Sequence, residues 1–521
     1  MLSMIVMTLK GLLLLATATL GFAALLRRED AAWVKRAPLW IFLAMFLIGM
    51  WGQSYWIAYA ALFLALPLLA RSRADAAALY CVLLVSLPQL SQQITVGSLY
   101  LMETSKYLVC ALGLATAFIM KRSEAPVLRG ARFGLPILLI VVLEVAQARD
   151  PSVTATIRQC LPILFAILLP YFILSRSLTT AEDVRRFLLA FALAGFVMAV
   201  VATAEARLHW LLYKQIEGHL HIHVSVNAYS KLRAGMLRAP AAFPESTALG
   251  TFLVLAFMAT LALRDTFASR GKWYLVLFVL TLGLVSANSR GAFIALAVGL
   301  LAWDIYCRRY ARLGLKIAAA GGIYFFALFA AQFSRFFAAM VGKGSGTEAT
   351  SDYRMLLLRR GMEEIHKHPY LGQNLKTALS NLQDLRQGEG IIDLVNGYIS
   401  YGLTLGYPGL IGLLMAFVSL CLAMWVGRSR FGANPALLEP AACVFAVAAL
   451  SIVNTFLTAF GGVGSTSFYQ MCGLGGALWA MRRLAPAAKG EEAGAVAPVR
   501  LSGVAALIAA DRARAKAVAQ T

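Results

Sequence analysis

The stretch that decides the fold is LTLGLVSANSRGAFIALAVGLLAW, Leu280 to Trp303. Two apolar runs, each close to the length that crosses a bilayer, meet at Asn288-Ser289-Arg290-Gly291, so a permanent charge sits between them. An arginine at or just inside a membrane surface has two readings. Its guanidinium snorkels to the headgroups, or it faces a cavity and a partner. Outward from this turn, apolar runs of roughly 15 to 23 residues recur along the chain, and at about 20 residues per crossing they amount to about 13 to 15 spans. The 521 residues are 60% hydrophobic and 14% charged with a mean hydropathy of +0.73, a profile that excludes a water-soluble domain of this length. The expected fold class is all-α, a polytopic integral membrane protein. The first apolar run, Gly11 to Leu26, leads into Arg27-Arg28 without a small-residue cleavage site and is expected to remain as a membrane helix.

A net charge of +22 raises the question of nucleic acid, but the basic residues form no single stripe. They lie in short patches between apolar runs, as topology signals do: Arg27-Arg28, Arg71, Lys121-Arg122, Arg185-Arg186, Arg270 with Lys272, Arg308-Arg309, Arg428 and Arg482-Arg483. These patches fall in alternate loops, which the positive-inside rule assigns to the cytoplasm. The seven cysteines lie in or beside apolar runs without CxxC spacing and read as small buried hydrophobes, not as a disulfide framework or a zinc site.

With the sides assigned, the chain divides into helices over 1–206, a first outer loop over 207–242, helices over 243–333, a large outer loop over 334–394, helices over 395–483, and an Ala-rich cytoplasmic tail over 484–521. The large loop is too long to be a connector. Its segment SDYRMLLLRRGMEEIHKHP predicts a helix capped by Ser351 or Asp352 and stopped before Pro369. The preceding GKGSGTEATS, Gly342 to Ser351, lacks the order of a phosphate loop and reads as a hinge or lid. All six histidines fall in the two outer loops. The alternation HLHIH, His219 to His223, puts three imidazoles on one face if extended, a metal-binding arrangement without an accompanying carboxylate or cysteine.

Arg290 has company on its expected side. KLRAGMLRAPAAFPESTALG brings Arg233, Arg238 and Glu245 to the start of a span, and the large loop adds Arg354, Arg359 and Arg360. Guanidiniums gathered where positive charge is normally sparse point to an anionic ligand, and arginine grips phosphate oxygens through a planar fork that does not deprotonate. A lipid-linked pyrophosphate fits that chemistry at a water–lipid boundary.

NSRGAFIALAVGLL, preceded by RAPAAFPESTALG and followed by YRMLLLRRGMEEIHKHPYLGQN and DLVNGYISYGLTLGYPGLIGLL, resembles the O-antigen ligase and Wzy-type polymerase superfamily, membrane glycosyltransferases of the GT-C type. The resemblance covers roughly Arg233 to Leu413. It implies an enzyme of the bacterial inner membrane that takes a glycan from an undecaprenyl pyrophosphate carrier at the periplasmic face and joins it to an acceptor hydroxyl, without metal, other cofactor or nucleotide sugar. It makes Arg290, Arg238 and Arg354 the arginines that grip the pyrophosphate; Arg233 and Arg360 are further candidates from their place on the same side. The carrier-linked oligosaccharide, membrane lipid and a chain-length regulator protein are the implied partners.

The ligases of this family carry a His-Asn pair, then nine residues, then Gly-x-x-Gly. Asn396, Gly406 and Gly409 keep that spacing here, but valine occupies 395 and accepts no proton. Asp393 is therefore the first candidate base and Glu245 the second, with Asn396 completing the catalytic set; a helical start here would put Asp393 and Asn396 on one face. The competing reading of Asp393 is an N-cap, and that of Glu245 a carboxylate favoured by a helix start. Tyr398 and Tyr401 stack on sugar rings or simply pack. The expected function is polymerisation of lipid-linked repeat units into exopolysaccharide or O-antigen. The alternatives are ligation of a finished glycan to lipid A-core or protein, and transport of a lipid-linked anionic solute.

Overall fold

The computed structural model describes residues 2–97, 99–122, 134–148, 152–220, 232–233, 235–334, 337–338, 341, 345–386, 392–460 and 462–482. Helix starts are written locally in the sequence. Ser54, Ser72, Ser105, Ser152, Thr180, Ser269, Asn374, Asn396 and Asn434 each stand at an N-cap and accept a backbone N–H, and Thr180 completes a capping box with Asp183.

The order is α1 (Leu2–Leu25), α2 (Arg28–Arg36), α3 (Pro38–Trp51), α4 (Tyr55–Leu69), α5 (Arg73–Ser86), an antiparallel hairpin β1 (Ser91–Val96) and β2 (Leu99–Ser105), α6 (Lys106–Met120), α7 (Leu135–Gln147), α8 (Val153–Ile163), α9 (Leu169–Ser177), α10 (Ala181–Leu208) and α11 (Lys214–His219). The second half has a short hairpin β3 (Leu232–Arg233) and β4 (Met236–Leu237), then α12 (Ser246–Leu261), α13 (Arg270–Ala287), α14 (Arg290–Tyr306), α15 (Tyr310–Ala330), α16 (Ser345–Lys367), α17 (Leu375–Asn381), α18 (Gly397–Leu405), α19 (Tyr407–Gly432), α20 (Pro435–Leu457) and α21 (Gly462–Met481). Among the described residues eight helical stretches are long and apolar enough to cross a membrane, two of them made by α2 with α3 and by α8 with α9, and four more apolar helices have 10–17 residues. Taking these shorter helices as spans gives twelve, and the count of about 13 to 15 read from the sequence also includes α14 and α21. The chain is an all-α, multi-pass membrane protein.

Helix α10 is the axis of the first half: it is buried along most of its length and packs against α1, α5, α12 and α13. In the second half α20 packs against α14 and α19. The basic loops that the sequence assigns to one side meet at one end. Arg185 bonds Asp30 at 2.8 Å and Arg36 bonds Asp75 at 2.6 Å, while Arg73 donates to the Phe118 and Lys121 carbonyls, Lys272 to that of Ala24 and Arg428 to that of Tyr306. The opposite end carries the two long loops and is called the site end below.

The large loop has its own small core, Leu357, Ile365, Ala378, Leu382 and Leu385 packed on Ile399 and Leu403 of α18. Helix α16 starts at Ser345, not at the expected Ser351 or Asp352 cap, so residues 345–351 are helical; Glu348 and Ala349 are good helix formers and no proline interrupts them. It ends at Lys367, before Pro369, as expected. Residues 342–344 and the tail from 484 lie outside the described residues. Between α18 and α19 the chain turns at Gly406, whose φ of +71° and 2.3 Å approach of a would-be Cβ to the Pro369 carbonyl oxygen leave room for no other residue.

Buried Glu364 ties this loop together, accepting from Lys367 at 2.8 Å, Gln373 at 2.7 Å and Asn381 at 2.6 Å. Burial works against its charged form, yet these three donors outweigh it and hold the carboxyl down at about 2. A carboxyl held below its unfolded value, about 4.3, gives stability that is complete above that pH and lost as the pH falls through it toward 2. Glu364→Gln is therefore expected to destabilise the loop by about 1–3 kcal/mol at neutral pH, and the gap to wild type is expected to close on acidification. Protection of α16 amides in hydrogen exchange at both pH values measures it.

Candidate anion-binding active site

The site is built around the turn between α13 and α14. Asn288 takes the left-handed conformation that ends α13, φ 47° and ψ 46°, a conformation asparagine tolerates better than most residues. Ser289 is extended, and Arg290 opens α14. The first outer loop is laid against this turn. Arg233 on β3 donates to the Asn288 carbonyl at 3.0 Å, the Asn288 amide returns a bond to the Arg233 carbonyl at 3.4 Å, and Ala239 N–H reaches the Ser286 carbonyl at 3.1 Å.

Arg238 follows β4 directly, and its segment is fastened from the other side by Glu205 near the end of α10. That carboxylate is 1% exposed and accepts from Leu212 N–H at 3.0 Å and Ala241 N–H at 2.9 Å. Glu245 stands at the N-cap position of α12 without capping it; its carboxylate takes the Thr247 hydroxyl at 3.1 Å. From the large loop, α16 brings Tyr353 and Arg354. The Tyr353 hydroxyl donates to the Asp393 carbonyl and accepts from the Asp393 N–H, both at 3.0 Å.

Electrostatics show which of these groups are neighbours. Arg233 is pushed down to about 10, first by burial and then by the positive charges of Arg238, Arg290 and Arg354. Arg238 is lowered by burial, and of its neighbours Glu245 opposes the shift while Arg354 and Arg290 add to it. Arg354 is lowered by burial and Arg290, with Asp393 acting in the other direction. Arg233, Arg238, Arg290 and Arg354 therefore form one like-charged cluster, flanked by Glu245 beside Arg238 and Asp393 beside Arg354. Among the described residues Arg238, Arg290 and Arg354 form no ion pair, and the buried Nε–H groups of Arg238 and Arg354 meet no acceptor. Buried donors without partners are rare, and charged ones rarer still. Such a cluster has the chemistry to bind a multiply charged anion.

Other sequence candidates fall elsewhere. Arg360 is engaged by Glu363 at 2.7 Å and Asp384 at 2.8 Å and braces α16 within the loop, apart from the cluster. Asn396 is the N-cap of α18, its side-chain oxygen accepting from Tyr398 N–H at 3.0 Å and Ile399 N–H at 3.3 Å. The helix thus starts only at Gly397, where a Cβ would come within 2.7 Å of Thr455, and Asp393 lies in irregular chain before it, its carbonyl accepting the Val395 N–H at 2.9 Å. Asp393 and Asn396 do not share a helix face, and Asn396, not Asp393, is the cap. Tyr398 donates to the Ile452 carbonyl at 3.0 Å and Tyr401 bonds Glu144, so both hydroxyls are engaged in helix packing. His219 is the last residue of α11 and enters no strand; His221 and His223 lie outside the described residues. Tyr353, Asn288 and Glu205 were not foreseen. Only Asn288 left a trace in the sequence, as an asparagine at the junction of two apolar runs.

Residues 275–414 match the family model described as O-antigen ligase. This agrees with the O-antigen ligase/Wzy superfamily and supports a glycan polymerase or ligase type of function and a glycosyltransferase-like enzyme at that level. The matched segment holds Arg290, Arg354, Asp393 and Asn396, while Arg233, Arg238 and Glu245 precede it. No curated protein matches the chain.

Four like charges held together oppose folding until an anion arrives. Arg238→Met is therefore expected to melt no lower than wild type without ligand, and to lose the rise in melting temperature that inorganic pyrophosphate gives the wild-type protein in detergent. A lower melting temperature with the pyrophosphate shift intact would make Arg238 a structural residue.

Proposed function

We propose that the chain polymerises undecaprenyl-pyrophosphate-linked oligosaccharide repeat units into exopolysaccharide or O-antigen at the outer face of the bacterial cytoplasmic membrane. The observation that carries this reading is the convergence of Arg233, Arg238, Arg290 and Arg354, without carboxylate ion pairs for the last three, beside and within a segment that matches the O-antigen ligases. The site end lies opposite the end where the basic loops gather, which supports the periplasmic side for it.

The arginines hold the two phosphates of the carrier where bilayer meets water. The acceptor hydroxyl, at the non-reducing end of a second lipid-linked unit, attacks the anomeric carbon from the face opposite the phosphate and gives its proton to Asp393. The bond from the anomeric carbon to the phosphate oxygen breaks, and its electron pair stays on the released undecaprenyl pyrophosphate. Charge that grows on that oxygen is met by guanidiniums already in place, which requires no metal. The configuration at the anomeric carbon inverts. Glu245, beside Arg238, is the second candidate for the proton.

Ligation to a core acceptor differs from polymerisation only in the acceptor. Val395 supports polymerisation, because the ligase histidine is missing at that position. Transport uses the same anion site without breaking a bond.

Incubating purified protein with one lipid-linked repeat unit in the presence of a chelator is expected to give a ladder of products. Transfer only to added lipid A-core would indicate a ligase, and unchanged substrate moved across a proteoliposome membrane a transporter. Arg290→Ala, Arg238→Ala and Arg354→Ala are each expected to abolish the ladder, and Arg290→Lys to reduce it at least tenfold because a point charge does not reproduce the planar fork. Full activity in Arg290→Lys would restore the snorkelling reading.

A further inference from the structure

Arg354 and Asp393 come from segments about 40 residues apart, and the group that joins them is the hydroxyl of Tyr353. It bonds both the N–H and the carbonyl of Asp393, which fixes the backbone of that residue to α16. The adjacent Arg354 has a buried Nε–H without an acceptor and feels the Asp393 carboxylate, and no ion pair between the two is formed. The arrangement keeps a carboxylate near a guanidinium without letting the pair close. A closed pair would neutralise the anion site, and a free loop would let the carboxylate drift away.

We infer that Asp393 is the resting counter-ion of Arg354, held in place through Tyr353, and that the diphosphate of the carrier displaces it electrostatically when it binds. This rests on the reading of the site as a diphosphate receptor and adds an order of events to it. Before the carrier arrives, the Asp393 carboxylate lies in the positive field of Arg354. Once phosphate oxygens take up that field, the same carboxylate, its backbone still fixed by Tyr353, is released from the guanidinium to meet the acceptor hydroxyl. Only the loaded site then deprotonates an acceptor hydroxyl. Tyr353 is a positioning residue in this scheme, since it acts through Asp393.

Because the carboxylate and the anion compete for one guanidinium, weakening the carboxylate must strengthen anion binding. Titrating the purified full-length protein with inorganic pyrophosphate, Asp393→Asn is expected to bind about three- to tenfold more tightly than wild type, and Tyr353→Phe to bind more tightly as well although it retains every charge. With a lipid-linked repeat unit, Tyr353→Phe is expected to lower KM and kcat together, a pattern that mere loosening of the loop does not produce. Unchanged or weaker pyrophosphate binding in Asp393→Asn overturns the inference while leaving the diphosphate site standing. Tighter binding in Asp393→Asn but not in Tyr353→Phe overturns the role of Tyr353. Wild-type protein that binds no pyrophosphate at all overturns the site reading itself, and this inference with it.

Discussion

Like charges repel, and a low-dielectric boundary strengthens the repulsion. The assembly of Arg233, Arg238, Arg290 and Arg354 at the site end is therefore the constraint around which the second half of the chain is organised. Beside the nearby carboxylates of Glu245 and Asp393, what offsets it is bonding to backbone: the exchange of bonds between Arg233 and Asn288, the docking of Ala239 on Ser286, and the grip of Glu205 on Leu212 and Ala241. These neutral and charge-assisted bonds hold the loops in register while leaving the guanidinium forks of Arg238, Arg290 and Arg354 unpaired. Anion receptors that must release their ligand are better made this way, because a salt-bridged arginine must first be taken from its carboxylate.

Beneath the arginines a polar network joins the helices that carry them. Asn454 of α20 donates to Thr251 of α12 and to Thr458, both at 3.2 Å, and the Thr458 carbonyl accepts Gly397 N–H at 3.1 Å. Thus α12, which follows Glu245, and α18, which follows Asp393, are set against one span. Hydrogen bonds between membrane helices are worth about 1 kcal/mol each, but they fix registers that apolar packing leaves free. The two carboxylates at the site come from different segments, Glu245 after the first outer loop and Asp393 from the second, and each is near a different arginine.

The sequence made the class of fold legible because hydropathy is local and the bilayer imposes a fixed length. It made the arginine cluster legible because topology adds a second constraint: once alternate loops are assigned to sides, Arg233, Arg238, Arg290 and Arg354 are confined to one surface. What it concealed is pairing at long range. Arg360 shares a loop and a charge with Arg354, and only Glu363 and Asp384, across a fold of that loop, show that it is engaged elsewhere. Asp393 and Asn396 read as a helical pair because the start of α18 was placed too early; the close approach of Gly397 to Thr455 and Phe460 sets that start, and neither neighbour is near in sequence. Tyr353 carries no pattern at all, since a tyrosine before an arginine is unremarked until its hydroxyl meets a residue on another segment.

The account stands on the guanidiniums of Arg238, Arg290 and Arg354 facing one shared volume that accepts a diphosphate. An experimental density map of the protein with inorganic pyrophosphate tests this most directly. The account predicts phosphate oxygens within hydrogen-bonding distance of all three side chains, with the Nε–H groups of Arg238 and Arg354 among the donors. Arg290 pointing into lipid, or pyrophosphate bound away from Arg238 and Arg354, would contradict it.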